Sequence, residues 1–360
     1  MSGPKPPRDG DATRESPRRL AAQVAPEEAH LSSAEFKLIR DRVSHHCGVD
    51  LPTDQRTSVE RRLRERLAAL GLEGDSAFRD YVRLLQAEAT GRTELDEAVE
   101  LLTTNETYFF REDYQLRAFR EEVVPMLARQ AQGRKRLTIW SAGCSTGEEA
   151  YTIATILLDT PELAGWELRV IGTDISRRCI AHARRATYGA ASFRVTPSDA
   201  RKRWFIDRAD GALVAERVRQ ICHFSVMNLL EPERAASIGR VDAIFCRNVL
   251  IYLRAAARRS VIDLFQERLY PGGVLLLGHS ESLLNASTSF DLLHLKSDLV
   301  YRKPTGAPGY MTPRPFMAAP AASEPAPPEP RKSTAPGGPS AASDTGRFSP
   351  VPGARKGSGS

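Results

Sequence analysis

The sequence has few cysteines and no cluster of them. Only 5 of the 360 residues are cysteine, an odd number scattered along the chain. A small disulfide-stabilised secreted domain is therefore excluded, since it needs an even and closely spaced set. Cys144, Cys179, Cys222 and Cys246 fall in apolar segments, so we expect buried, reduced thiols. His45-His46-Cys47 has metal-ligand chemistry, but no second ligand group has suitable spacing and we expect no metal.

Long hydrophobic runs are also missing. No apolar run is long enough to cross a bilayer. The N-terminal stretch MSGPKPPRDGDATRESPRR is polar and lacks the apolar region of a signal peptide. We therefore expect a cytoplasmic protein without membrane insertion. A composition of 41% hydrophobic and 27% charged residues is typical of a globular protein, and 360 residues suffice for two domains.

Aromatic residues are scarce, at 7%, and are not interleaved with the basic ones as in a nucleic-acid-binding platform. The formal net charge of +6 nevertheless favours an acidic partner. An acidic protein surface accounts for that charge, so we expect no nucleic-acid partner.

The chain divides into four predicted segments. Residues 1–29 and 304–360 are rich in Pro and small or charged residues and should be disordered, because they cannot bury a core. Residues 30–102 show helical periodicity throughout, and residues 103–303 alternate predicted strands and helices. The sequence therefore predicts an all-α domain followed by an α/β domain.

The alternation of strands and helices is interrupted at about residues 191–224. Three short apolar segments, Trp204–Ile206, Ala212–Ala215 and Val218–Phe224, lie around an Asp210-Gly211 turn. Short apolar runs with an Asp-Gly turn are typical of β-hairpins. We predict a small antiparallel β-subdomain inserted in the α/β domain.

The second predicted helix of the all-α domain, Gln55–Leu70, has two chemically different sides. Val59, Leu63 and Leu67 form an apolar side. The opposite side carries five arginines, Arg56, Arg61, Arg62, Arg64 and Arg66. A solvated surface accounts for them, and so does a cationic face for a Glu-rich substrate helix.

A predicted strand, turn and helix at 137–154, LTIWSAGCSTGEEAYTIA, form the centre of the α/β domain. An apolar strand, a small-residue turn and a helix together begin a nucleotide-binding βαβ unit. Glu148 and Glu149 in the first helical turn suit the helix dipole but would repel a phosphate. The turn therefore favours a ligand that is cationic or neutral at this point.

Three other segments carry polar residues at positions where we expect a ligand pocket. Asp174 ends the second predicted strand, a position that accepts ribose hydroxyls, although a helix N-cap is compatible with it. The linker TTNETYFFR at 103–111 suits either a pocket wall or a helix cap with a core anchor. Asn248 and Tyr252 follow the strand Val241–Phe245, at the edge where open α/β sheets bind ligands.

Several motifs occur in a fixed order, and they are listed here with their positions: TTNETYFFRE at 103–112, WSAGCSTGEEAYTIA at 140–154, GTDIS at 172–176, NLL at 228–230, FCRNVLIYL at 245–253, PGG at 271–273 and GHSES at 278–282. Together they resemble the chemotaxis receptor methyltransferases, which are S-adenosylmethionine-dependent protein-glutamate O-methyltransferases. The resemblance covers roughly residues 30–303. It implies an all-helical domain and a Rossmann-like class I methyltransferase domain that carries the β-subdomain.

The resemblance also implies a cofactor, S-adenosylmethionine, with S-adenosylhomocysteine as product. The implied cofactor contacts are Asn105, Thr107, Arg111, Glu148, Asp174, Asn228, Leu229, Asn248 and Val249. Arg111 and Tyr252 are implied to lie close to the transferred methyl group. Since a carboxylate is already ionised at neutral pH, the implied reaction needs no general base.

The implied substrates are glutamates in the cytoplasmic helices of chemoreceptors, and we expect the enzyme to act as a monomer. Some family members also dock a receptor C-terminal pentapeptide on a longer, Gly-rich loop of the β-subdomain. Here the corresponding turn, Asp207–Ala212, is short, so we predict that pentapeptide tethering is absent. Two alternatives are a methyltransferase acting on RNA or a small molecule, and a non-catalytic module that binds the cofactor.

Overall fold

A computed structural model describes residue 3 and residues 29–88, 90–283 and 289–306. The two segments predicted to be disordered lie outside the described residues, apart from residues 3, 29 and 304–306. All the described residues belong to one compact unit, Met1–Gly309. In this part of the chain no helix combines the length and the hydrophobicity needed to span a membrane.

Four α-helices and a short 3-10 helix at Thr53–Gln55 make up the N-terminal part; the α-helices are α1 (Ser33–Cys47), α2 (Arg56–Ala69), α3 (Ala77–Gln86) and α4 (Gly91–Leu102). Ser32 caps α1 in a capping box with Glu35. Gly48 ends the helix with φ 77°. The helices enclose their own apolar core, in which Phe36, Leu63 and Tyr81 are fully buried.

Eight further α-helices belong to the α/β part: α5 (Asp113–Ala118), α6 (Val124–Ala131), α7 (Glu148–Leu158), α8 (Arg177–Arg185), α9 (Ser198–Trp204), α10 (Glu216–Ile221), α11 (Pro232–Ala235) and α12 (Ala255–Arg268). A π-helical turn at Phe119–Val123 joins α5 to α6. Four short 3-10 helices lie at Pro161–Leu163, Ala190–Phe193, Ala236–Ile238 and Leu250–Tyr252.

Among the described residues, ten strands form two sheets: β1 (Arg136–Ala142), β2 (Glu167–Asp174), β3 (Thr187–Tyr188), β4 (Phe205–Arg208), β5 (Gly211–Val214), β6 (Cys222–Val226), β7 (Val241–Cys246), β8 (Leu269–Leu277), β9 (Asp291–His294) and β10 (Leu299–Arg302). The main sheet has seven strands in the order β6-β2-β1-β7-β8-β10-β9. The first five are parallel, and β10 pairs antiparallel with β8 and β9.

Both faces of the main sheet are covered. Along β1, Ile139 belongs to the apolar cluster that includes α5, α6 and α7, whereas the next residue, Trp140, belongs to the cluster that includes α12. Successive strand residues point to opposite faces, so a continuous apolar run is what a doubly covered strand requires. The predicted fold class, a Rossmann-like α/β domain after an all-α domain, is confirmed.

The small antiparallel sheet has the order β3-β5-β4 and differs from the prediction in one strand. Val218–Phe224 is not part of it: Glu216–Ile221 is helical, and Cys222–Val226 pairs parallel with β2 at the edge of the main sheet. The prediction was wrong because a short apolar run does not specify its partner strand. Thr187–Tyr188 instead supplies the third strand, paired antiparallel with β5.

Candidate active site

A cavity of about 360 Å³ opens at the carboxyl ends of β1, β2 and β7, within the usual range for ligand pockets. Its walls come from the loop after α1, from α2, from the 103–111 linker and from the loops after β1, β2, β6 and β7. Nine of the ten predicted site residues line it: Asn105, Thr107, Arg111, Asp174, Asn228, Leu229, Asn248, Val249 and Tyr252. The all-α domain is thus part of the site, which the motifs alone did not indicate.

The turn after β1, at residues 143–145, lines the cavity, and its backbone conformation is set by contacts with neighbouring parts of the chain. The amides of Gly143 and Cys144 donate to the Thr173 carbonyl at 2.8 and 2.9 Å, which joins this turn to the end of β2. Gly143 has φ 80°, and a Cβ there would lie 2.4 Å from Cγ2 of Val249. Only glycine permits both this conformation and this close approach.

Asp174 is buried at the end of β2 and faces the cavity. Its Oδ2 accepts from the Ser145 amide at 2.8 Å, and its Oδ1 accepts from the Ser176 amide at 2.9 Å. Burial raises the pKa of Asp174, and these two hydrogen bonds oppose that rise. The N-cap of α8 is Ser176, so the alternative that Asp174 itself caps the helix is wrong. Binding of ribose by Asp174 stays a prediction.

Glu148 is the one predicted site residue that does not line the cavity. Its carboxylate accepts from the hydroxyls of Thr146 and Ser192, at 2.6 and 2.9 Å. The next residue, Glu149, lines the cavity and accepts from the Ser141 hydroxyl at 2.6 Å. Two glutamates in succession on a helix point about 100° apart, and the pattern does not say which one faces the ligand.

The linker at 103–111 forms a wall of the pocket and also anchors the chain in the core, so parts of both interpretations of its sequence apply. Phe109 is a core anchor, fully buried with its ring 4.8–5.0 Å from the rings of Tyr188, Phe193 and Phe205. The residues before it, including Asn105 and Thr107, line the cavity. Aromatic packing on one side therefore fixes a polar pocket wall on the other.

Arg111 completes the linker at the cavity. Its Nη1 donates to the Glu106 carbonyl at 2.9 Å, and its guanidinium lies 5.7 Å from the centre of the Tyr108 ring. A guanidinium has five N–H donors, so this single hydrogen bond leaves donors for a ligand.

The loop after β7 supplies an acceptor without a partner. Asn248 has φ 59°, and its Oδ1 is buried with no hydrogen-bond partner in the described part of the chain. A buried acceptor of this kind fits a ligand with an N–H donor. S-adenosylmethionine presents two such donors, its adenine amino group and its ammonium group, so the residues present fit the cofactor that the sequence predicts.

Asn228 and Tyr252 connect the cavity to the all-α domain. Nδ2 of Asn228 donates to the His46 carbonyl at 2.7 Å. The Asp50 amide donates to the Tyr252 carbonyl at 2.8 Å, beside a β-bridge between Val49 and Leu253. The Tyr252 side chain is itself 41% exposed at the cavity. The loop that follows α1 therefore helps to hold the loop that carries Tyr252.

Arg247 was missed in the sequence and lies buried beside the cavity. Its Nη2 donates to the Arg111 carbonyl at 2.7 Å and to the Glu112 carboxylate at 3.0 Å, and its Nη1 lies 3.3 Å from Glu149. Burial raises the pKa of Glu149, and the Arg247 charge opposes the rise. The available signal was a charged residue between Cys246 and Asn248, at the end of an otherwise apolar strand.

The five arginines of α2 do not form one free cationic face. Arg66 pairs with the Glu94 carboxylate at 2.9 and 2.6 Å, and Arg62 donates to the Leu102 carbonyl at 3.0 Å while lining the cavity. Arg64 pairs with Glu60, and Arg56 donates to Ser33. Arg61 is exposed, and the other four are half-buried.

All five cysteines are buried and unpaired, and no described group of three His, Cys, Asp or Glu side chains is arranged to hold a metal. Cys144 lines the cavity, and burial raises the pKa of its thiol well above the usual value. It is therefore a neutral wall of the site rather than a nucleophile.

Comparison with known families decides the assignment. Residues 105–298 match the model described as "CheR methyltransferase, SAM binding domain", and residues 34–103 match "CheR methyltransferase, all-alpha domain". The chain belongs to the CheR methyltransferase family. The predicted family and the predicted S-adenosylmethionine cofactor are both confirmed.

Curated relatives agree with this assignment over most of the chain. Chemotaxis protein methyltransferase 2 of Vibrio cholerae is 35% identical over 276 residues, 76% of this chain and 94% of the relative. The chemotaxis protein methyltransferase of Salmonella typhimurium is 34% identical, over 73% of this chain and 88% of the relative. A probable biofilm formation methyltransferase, WspC of Pseudomonas putida, is 34% identical over 81% and 68%.

Similarity to solved structures is weaker. The N-methyltransferase NodS of Bradyrhizobium japonicum, in complex with S-adenosylhomocysteine, aligns over 63% of this chain and 97% of its own, with 16% identity and a TM-score of 0.31. A likeness at this level adds nothing to the family assignment.

Proposed function

We propose that this protein transfers a methyl group from S-adenosylmethionine to glutamate side chains of chemoreceptors and forms methyl esters, acting as a cytoplasmic monomer. The observation that carries the proposal is the convergence of nine motif residues on one cavity at the carboxyl ends of the parallel strands. The chemotaxis relatives support the receptor as substrate.

The cofactor, when bound, supplies an electrophilic sulfonium methyl group. In this proposal Asp174 accepts the ribose hydroxyls, and the Oδ1 of Asn248 accepts from an N–H group of the cofactor. Backbone at Gly143 allows close approach of the cofactor, and Val249 provides an apolar contact beside it. These residues therefore hold and orient the cofactor, without proton transfer.

The acceptor carboxylate is a nucleophile as it stands, because it is ionised at neutral pH. In this proposal Arg111 orients that carboxylate with donors that its hydrogen bond to the Glu106 carbonyl leaves free, and Tyr252, which is exposed and lines the cavity, contacts the substrate. Alignment of carboxylate and methyl supplies on the order of 7–11 kcal/mol in favourable cases.

The acidic receptor helix is proposed to contact the exposed part of α2 as well as the cavity. The net charge of +6 supports an acidic partner, and Arg61 is the α2 arginine most open to one. Arg61→Ala should raise KM for the receptor and leave cofactor affinity unchanged. Arg79→Ala, on the exposed surface of α3, is the matched control.

The deciding experiment incubates the protein with methyl-labelled S-adenosylmethionine and membranes that contain the host's chemoreceptors. We expect the label to appear in the receptor and to be released by alkali, as from an ester. We also expect Arg111→Ala to lower the turnover by a larger factor than it lowers the affinity for the cofactor. Alkali-stable label in RNA or a small molecule would favour a different methyltransferase. Binding of S-adenosylhomocysteine without any transfer would indicate a non-catalytic module.

A further inference from the structure

The GHSES motif at 278–282 contains a carboxylate whose role the cavity does not explain. Glu281 does not line the cavity, yet it accepts four backbone N–H groups. Its Oε2 accepts from Asn248 at 2.8 Å and from Gly278 at 2.7 Å. Its Oε1 accepts from Val249 at 2.9 Å and from Ile251 at 3.2 Å.

Three of these four donors belong to the loop after β7, which carries Asn248, Val249 and Tyr252 into the cavity. That loop turns at Asn248, whose φ of 59° is positive; asparagine adopts such a conformation more readily than other residues with a side chain, at a smaller cost in free energy. A strained residue persists only where its surroundings hold it firmly. Charge-assisted hydrogen bonds to Glu281 are the visible restraint.

The segment that carries Glu281 is itself fixed from two directions. Gly278 lies so close to the loop that a Cβ there would be 2.8 Å from the Asn248 amide nitrogen. Beyond Glu281, the Leu283 amide donates to the Tyr301 hydroxyl at 3.1 Å, and the Leu283 side chain is buried. Contacts on both sides of Glu281 in the chain thus hold the segment that carries the carboxylate, which is what a restraint on a neighbouring loop requires.

We propose that Glu281 is a positioning residue for methyl transfer. It sets the backbone of Asn248–Tyr252 so that the Asn248 acceptor and the Val249 side chain meet the cofactor and Tyr252 meets the substrate. Glu281 touches neither ligand and acts only through that backbone. The part of this inference that concerns Tyr252 and the substrate rests on the proposed function. The part that concerns Asn248, Val249 and the cofactor rests on the family's use of S-adenosylmethionine.

Glu281→Gln tests the idea with almost no change in size. One oxygen becomes an NH₂ group, which cannot accept from the backbone, so two N–H groups lose their partner and the loop relaxes. We expect S-adenosylhomocysteine to bind roughly tenfold more weakly by calorimetry, and kcat toward receptor membranes to fall by a similar factor. Both are measured well below the unfolding temperature and expressed per folded molecule.

A merely structural role gives a different result, a lower Tm with unchanged affinity and kcat for the folded protein, and that result would overturn the proposal. Glu267→Gln is the matched control, because Glu267 is an exposed glutamate on α12 that pairs only with its neighbour Arg268 among the described contacts. It should leave both values unchanged.

If Glu281→Gln does not fold, Glu281→Asp keeps the charge and both oxygens but withdraws them by one methylene. The same loss of affinity at unchanged fold supports the proposal, and wild-type affinity refutes it. Should the wild-type protein bind S-adenosylhomocysteine and never methylate a receptor, the proposed substrate fails, while the effect of Glu281→Gln on cofactor binding still tests the positioning role.

Discussion

Asp174 gives the clearest residue-level test, because its buried carboxylate already accepts two backbone N–H groups and still faces the cavity. Only the ionised form accepts a ribose hydroxyl on either oxygen. Asp174→Asn should weaken S-adenosylhomocysteine binding roughly tenfold or more at pH 7, given the usual strength of hydrogen bonds to charged groups. Asp263→Asn, at an exposed position of α12, is the control.

The raised pKa of Asp174 adds a pH dependence to the same experiment. The carboxylate is ionised above its folded-state pKa, so cofactor affinity is present above that value and is lost as the pH falls through it. Because the pKa is raised, the loss should begin above the pH at which an ordinary aspartate titrates. Titrations of wild type and Asp174→Asn should converge in acid; equal affinities at pH 7 would discard the ribose assignment.

Arg247 is the second residue whose charge can be tested, since its side chain is only 3% exposed between Glu112 and Glu149. Removing one member of a buried ion pair leaves the other charge uncompensated, at a cost of about 3–5 kcal/mol. We expect Arg247→Met to lower the free energy of unfolding by that order, measured with denaturant.

The double variant Arg247→Met/Glu149→Gln separates charge from packing. If the cost is the uncompensated charge, the neutral glutamine side chain should restore part of the lost stability, and the two changes should not be additive. A fully additive double variant would show that the cost of Arg247→Met does not come from Glu149, which leaves the unpaired Glu112 carboxylate, lost packing and the lost hydrogen bond to the Arg111 carbonyl as its sources.

At the scale of elements, the end of α1 packs against α12 and so forms a contact between the all-α domain and the methyltransferase domain. Gly48 has φ 77°, and a Cβ there would lie 2.5 Å from Cβ of Ala257 on α12. Gly71, after α2, has φ 67° but nothing within 4 Å of an added Cβ. The two glycines therefore share the backbone strain of an alanine substitution and differ only in packing.

We expect Gly71→Ala to cost about 1–2 kcal/mol from the left-handed backbone alone. Gly48→Ala should cost roughly a further 1–3 kcal/mol from overpacking. It should also weaken S-adenosylhomocysteine binding, because it displaces the loop that holds Tyr252. Denaturant unfolding and calorimetry measure both quantities, and equal effects of the two substitutions would rule out a packing role for Gly48.

At the same scale, α1 and β6 show what a sequence pattern can and cannot predict. Ser32, Glu35 and Gly48 act within a few residues of the helix ends, so the two ends of α1 are encoded locally, where a sequence pattern can predict them. The partner of Cys222–Val226 lies about fifty residues earlier, in β2. An apolar alternation is the same for a hairpin strand and a parallel edge strand, so the wrong sheet was assigned.

At the scale of the whole molecule, the small antiparallel sheet bears on how the protein is recruited to the receptor. Arg208 pairs with Gly211, so the β4–β5 hairpin has a loop of only two residues. Absence of pentapeptide tethering stays a prediction that this short loop supports. A calorimetric titration with a receptor C-terminal pentapeptide should show no binding at micromolar concentration, and micromolar affinity would contradict it.

The sequence by itself determined the family, the cofactor and most of the cavity wall. These follow from short contiguous motifs, in which the chemical type and the spacing of each residue can be read without the tertiary structure. Only the tertiary structure decided that Glu149 rather than Glu148 faces the cavity, and that α2 closes it. It alone placed the Arg247 and Glu281 side chains behind the linker and the Asn248 loop. These features depend on contacts between residues 30 or more positions apart, which no local pattern encodes.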